Sequence, residues 1–218
     1  MKLMAISLAA LLLFSGAAVP RKKLVFFGDS ITQMGVNPGG YIQRIQSYLA
    51  SKSNTDWELI GAGVGGNKVY DLYLRLEEDV LDRHPDYVLI YVGINDVWHK
   101  TSGIGTDIEK YEKFYRALIR KMRLQHINVV VCTPSVIGEK KPGDNPQDAD
   151  LDAYSEVIRK LSAELNCPLV DLRKAFQEYE SRFNSNNRES GLLTTDRVHL
   201  TDQGNQLVAD EIIRMLKL

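Results

Sequence analysis

The sequence predicts an α/β domain built on a parallel sheet, and three observations carry that prediction. Short apolar runs alternate with longer segments whose apolar residues recur at helical spacing. The runs are continuously apolar rather than alternating, so both faces of each strand are expected to be covered by helices. Glycine-containing turns follow the first three runs, where strand gives way to helix.

Five runs serve as strands: residues 24–27, 57–60, 87–92, 127–132 and 169–172. In the first crossover Tyr41, Ile45, Tyr48 and Leu49 share a helical face, and in the second Val69, Leu72, Leu76 and Val80 do the same. Thr106 with Glu109 reads as a capping box ahead of Tyr111, Phe114, Tyr115, Leu118 and Met122. Asn145 reads as an N-cap with Pro146 at the first helical position, followed by the stripe Leu151, Tyr154, Ile158 and Leu161. Thr201 opens the last helix, which runs through Leu207, Val208, Ile212 and Met215. These stripes are the expected core.

Two irregular stretches remain. Residues 133–144 read as a surface loop, with Glu139-Lys140-Lys141 as a solvated charge run. Residues 183–198 form a second loop; one so long in a compact domain is usually functional or disordered, and this one delivers Asp196 and His199.

A chain of 218 residues with 44% hydrophobic and 25% charged residues suits one soluble globular domain. Its 27 basic and 28 acidic residues leave a net charge of −1, so no broad field favours nucleic acid or an anionic membrane. The expected partner is a small, weakly charged molecule. Lys2, the apolar stretch from Leu3 to Phe14 and the small residues Ser15-Gly16-Ala17-Ala18 read as a signal peptide over residues 1–18. Pro20 and Arg21-Lys22-Lys23 end the apolar stretch short of the roughly 20 residues needed to span a bilayer. The expectation is therefore a secreted or periplasmic domain over residues 19–218, with no stable membrane association after cleavage and an oligomeric state left open. Cys132 and Cys167 lie at opposite ends of neighbouring expected strands, roughly 13 Å apart at about 3.3 Å per residue. That exceeds the ~7 Å a disulfide tolerates, so two free, buried thiols are expected.

The chemistry lies in four short blocks. Gly28-Asp29-Ser30, Gly63-Val64-Gly65-Gly66-Asn67 and Gly93-Ile94-Asn95-Asp96 each follow a strand, which puts all three on the carboxyl rim where open parallel sheets bind ligands. Ser30 alone could be ordinary turn chemistry. A serine hydroxyl becomes a nucleophile only if a base takes its proton, and Asp196-Arg197-Val198-His199 offers an imidazole with a carboxylate to fix its tautomer. The glycine turn and the Asn95 amide supply hydrogen-bond donors for a developing oxyanion, while Asp96 reads as a structural turn residue. Gly61-Ala62-Gly63-Val64-Gly65-Gly66 also matches a dinucleotide fingerprint, but it follows the second strand and no acid ends the next one. His84, His99 and His126 lack metal-ligand spacing. Trp98 and His99 are candidates for the wall of an acyl pocket or for packing over the rim.

With these blocks, from Leu24 to the last helix, the chain resembles the SGNH hydrolases, the GDSL esterase and lipase superfamily. The resemblance implies a three-layer α/β/α flavodoxin-like sandwich with strand order 2-1-3-4-5. It implies catalytic residues Ser30, Asp196 and His199, an oxyanion hole of Ser30, Gly66 and Asn95, and no metal or organic cofactor. The Gly-x-Ser-x-Gly elbow of other α/β hydrolases is absent around Ser30. The expected function is hydrolysis of short acyl esters, acetyl groups on carbohydrates foremost. Lysophospholipase, thioesterase and sugar O-acyltransferase activities stand as alternatives within the family, and a non-catalytic carbohydrate-binding protein as the alternative outside it.

Overall fold

The computed structural model describes residues 21–218, so the expected signal segment, residues 1–18, lies outside the described residues. Strands β1 (Lys22–Gly28), β2 (Trp57–Gly63), β3 (Tyr87–Tyr91), β4 (Asn128–Cys132) and β5 (Leu169–Val170) form one sheet in the expected order 2-1-3-4-5. Every pair is parallel. The apolar runs are covered on both faces: Leu24 to Phe27 in β1 and Val88 to Ile90 in β3 are all 0% exposed.

Helices α1 (Ser30–Gly35) and α2 (Tyr41–Ser51) join β1 to β2, while α3 (Val69–Leu74) and α4 (Leu76–Asp79) lead back to β3. Next come α5 (Ile94–Trp98) and α6 (Ile108–Leu124), then α7 (Asp148–Glu164), α8 (Leu172–Phe183) and α9 (Asp202–Leu216). Right-handed crossovers run one way from β1 to β2 and the other way from β2 onward, which places the helices on opposite faces. Accordingly α9 packs on α2 and α8, and α6 packs on α3 and α7. The reversal falls between β1 and β3, the position at which such sheets open a crevice at their carboxyl ends.

Several boundaries differ from the sequence reading. The second crossover is two helices joined at Arg75, although Val69, Leu72, Leu76 and Val80 are all buried as expected. The cap of α6 is Asp107, whose carboxylate accepts the Lys110 N–H at 3.0 Å. Thr106 is instead buried, its N–H spent on the Asp96 carbonyl at 3.0 Å. Asn145 does not cap α7; its side-chain amide turns back to donate to the Lys140 carbonyl at 3.1 Å and to Asp148 at 3.0 Å. β5 ends at Val170 because Asp171 caps α8, a helix to which the sequence reading assigned nothing. Cys132 and Cys167 are free and buried, and burial pushes both thiols up from their usual pKa.

Candidate active site

The strand register sets the rim. Gly28 pairs with Gly63 on one side and with Tyr91 on the other, so the first two blocks begin at the same height and the third begins two residues beyond it. A side chain at Gly28 would meet Thr32 Oγ1 at 2.3 Å and the Tyr91 carbonyl at 2.4 Å, and only glycine allows that approach. Asp29 then caps α1 by accepting the Ile31 N–H at 3.0 Å, which leaves Ser30 as the first residue of the helix. Burial raises the Asp29 carboxyl to about 7; the Ile31 N–H opposes the shift, the Asp96 charge adds to it, and His199 opposes it.

Gly66 has φ +76°, a left-handed conformation that glycine adopts without strain. The 63–67 turn abuts the serine, since a Cβ at Gly65 would lie 4.0 Å from that of Ser30. Arg75, which the sequence reading passed over, fastens this turn. Its guanidinium donates to the Gly28 carbonyl at 2.7 Å, to the Ala62 carbonyl at 3.1 Å and to Asn67 Oδ1 at 2.7 Å, and it stacks 4.5 Å from the Phe27 ring centroid. The Asn95 amide donates to the Asn67 carbonyl at 3.1 Å, which joins the second and third blocks. Asp96 is fully buried and accepts the Val69 N–H at 3.2 Å, a structural role that also anchors α3. Burial raises its carboxyl to about 6, against the hydrogen bonds and the Lys68 charge that lower it.

The fourth block reaches this rim from the far end of the chain. His199 Nε2 lies 2.9 Å from Ser30 Oγ, and His199 Nδ1 lies 2.7 Å from Asp196 Oδ2. The other carboxylate oxygen, Oδ1, accepts the N–H groups of Val198 at 3.1 Å and His199 at 2.8 Å. Partial burial would raise the Asp196 carboxyl, but the His199 ring and these backbone donors outweigh it and hold the pKa below its usual value. The ring of Trp98 stands edge-on to that of His199, 6.4 Å between centroids, so of the two rim aromatics Trp98 borders the site. Among the described residues, no group of three or more His, Cys, Asp or Glu is placed to hold a metal ion.

The surface-loop reading of residues 133–144 fails over its first half, where residues 133–139 are all buried. Glu139, read as part of a solvated charge run, is 0% exposed and bonded to the loop that carries Asp196 and His199.

A serine, an imidazole and a carboxylate in hydrogen-bond series on the switch-point rim of a five-stranded parallel sheet are the parts of an acyl-transfer site, and the similarity to known esterases makes the class that of the carboxylic ester hydrolases. Within that class the chain belongs to the GDSL-like lipase/acylhydrolase family, whose model matches residues 26–207. The acetylxylan esterase of Geobacillus stearothermophilus is 29% identical over 210 residues, 88% of this chain and 93% of that enzyme. A crystal structure of an acetyl xylan esterase is 56% identical with a TM-score of 0.87, over 88% of this chain and 98% of the other. A structure of the G. stearothermophilus enzyme is 28% identical with a TM-score of 0.81, over 92% and 96% of the two chains. Structures of that enzyme include catalytic mutants in which an aspartate, a serine or a histidine is replaced by alanine.

Proposed function

We propose that this chain is an acetyl esterase acting on acetylated carbohydrate, with Ser30 as nucleophile, His199 as general base and Asp196 as its orienting carboxylate. The observation that carries the reading is the unbroken series Ser30 Oγ to His199 Nε2 to Asp196, at 2.9 and 2.7 Å. The resemblance to two acetylxylan esterases supports the acetyl group and the carbohydrate alcohol.

With Nδ1–H donated to Asp196, the imidazole keeps Nε2 free to take the Ser30 proton as Oγ attacks the ester carbonyl. The oxyanion is received by the N–H groups of Ser30 and Gly66 and by the Asn95 amide, whose bond to Asn67 holds it on the rim. His199 returns its proton to the leaving alcohol. It then deprotonates the water that attacks the acyl-enzyme, releasing acetate and restoring Ser30. Asp196 stays ionised throughout, in keeping with its lowered pKa.

Export belongs to the same reading, through residues 1–18 as a signal peptide, and rests on the order of charged, apolar and small residues there.

Hydrolysis of p-nitrophenyl acetate, longer p-nitrophenyl esters and acetylated xylo-oligosaccharides by wild type and Ser30→Ala tests the proposal. The expected result is a wild-type preference for acetyl over longer chains and loss of activity in the variant. Equal rates would remove Ser30 as nucleophile. Acyl-sugar formation outpacing acetate release would replace hydrolysis with transfer.

A further inference from the structure

The segment bearing Asp196 and His199 has little regular structure of its own, since a single bridge, Thr194 to Leu200, crosses it. A buried carboxylate from the loop after β4 fixes it instead. Glu139 Oε2 accepts the Leu192 N–H at 2.9 Å. Oε1 accepts the Leu193 N–H at 2.9 Å, the Thr194 hydroxyl at 2.5 Å and the Thr194 N–H. Three successive backbone donors on one carboxylate form a cradle that suits an anion and sets the path of the chain entering the fourth block.

The backbone beside Glu139 repeats the grip on either side. The Glu139 N–H donates to the Glu189 carbonyl at 3.0 Å, and the Gly138 N–H donates to the Arg197 carbonyl at 2.8 Å. Arg197 sits between Asp196 and His199 with φ +80°, an uncommon conformation for a residue with a side chain, and the bond from Gly138 holds it there. From the cradle the order passes to the backbone of His199: the Thr195 N–H donates to the His199 carbonyl at 2.7 Å, and the Thr201 N–H to the Leu193 carbonyl at 2.9 Å. Glu180 lies close by. Burial first, then the charges of Glu139 and Asp148, raise its carboxyl to about 8 against the pull of Arg173, so at neutral pH it keeps its proton and puts no second charge beside Glu139.

We propose that Glu139 is a positioning residue for ester hydrolysis: it holds residues 192–194 so that His199 Nε2 stays within hydrogen-bond reach of Ser30 Oγ. The proposal rests on the triad reading above. It predicts a defect in the chemical step rather than in substrate binding, because the Glu139 carboxylate bonds residues 192–194 and neither the Ser30 nor the Asn95 block.

The test replaces Glu139 by glutamine. The amide oxygen can still accept at the Oε1 position, but its NH2 then faces the Leu192 N–H, donor against donor. Displacements of about 1 Å at a catalytic group cost on the order of 100-fold. In Glu139→Gln, kcat on p-nitrophenyl acetate, corrected for folded protein by circular dichroism, should fall on the order of 10- to 100-fold. KM should stay within about twofold, and the acidic limb of the kcat/KM profile, which reports the base, should move. Thr194→Val removes only the hydroxyl bond in a side chain of the same shape, so it should fold and lose kcat in the same direction by less. Wild-type kcat and an unmoved acidic limb in both variants would overturn the proposal, whatever their melting temperatures. If Glu139→Gln does not fold, Thr194→Val decides alone by the same readouts. Ser30→Ala assayed alongside separates the two readings: if it is as active as wild type the triad reading fails, and if it alone is inactive only the role of Glu139 fails.

Discussion

Replacing Glu180 by glutamine should stabilise this protein at neutral pH and do almost nothing in acid. The carboxyl is 5% exposed, and its Oε1 has no hydrogen-bond partner. Burial raises it from the usual 4.5 to about 8, so the folded protein retains a proton that the unfolded chain releases. A carboxyl with a raised folded pKa contributes stability that is fully present below 4.5 and is lost as the pH rises towards 8. At pH 7 release of that proton favours unfolding by about 3 kcal/mol, at about 1.4 kcal/mol per pH unit above the unfolded value. Glutamine has no proton to release. For a domain of this size about 3 kcal/mol corresponds to roughly 6–12 °C in Tm. Thermal unfolding of both proteins by circular dichroism at pH 4 and pH 7 provides the measurement. Any packing cost of the amide enters equally at both pH values, and Asp29 and Asp96 titrate alike in both proteins, so the difference between the two offsets isolates Glu180. An offset of the same size at pH 4 and pH 7 would refute the reasoning.

Two further outcomes follow from the site and the core. Asn95→Ala should lower kcat on p-nitrophenyl acetate about 10²- to 10³-fold with little change in KM, as loss of one oxyanion donor does, in steady-state assays against wild type. Arg173, 1% exposed, donates to the buried Asp148 at 2.8 Å; Arg173→Met leaves that carboxylate without its counter-ion, held only by the Gly143 N–H and the Asn145 amide, and should cost about 3–5 kcal/mol, read from the urea midpoint.

The four blocks were legible because each is contiguous in sequence, and three of them follow a strand, where chain order alone assigns the rim. Ser30 and Asn95 needed no long-range knowledge beyond the direction of a parallel sheet, whereas His199 was marked by the carboxylate three residues before it and by the family resemblance. Glu139 was not legible. Its partners lie 53 to 55 residues away, and beside Lys140 and Lys141 it has the local look of a solvated residue. Only the folded backbone shows that three N–H groups converge on it. The misplaced caps have a smaller cause: Thr106 and Asp107 are adjacent and both suit a helix start, and tertiary bonding to Asp96 decided between them. Arg75 fell inside the expected second-crossover helix but off its apolar stripe, and so carried no mark of its role at the rim.

That arginine gives the glycine turn an unusual dependence. One flat cation grips the ends of two strands and the turn together, so residues 63–67 cannot swing free as a lid while the sheet stays shut. The position of the donor loop is therefore tied to the carboxyl ends of β1 and β2, and a change at either strand end reaches the oxyanion donors through this one side chain.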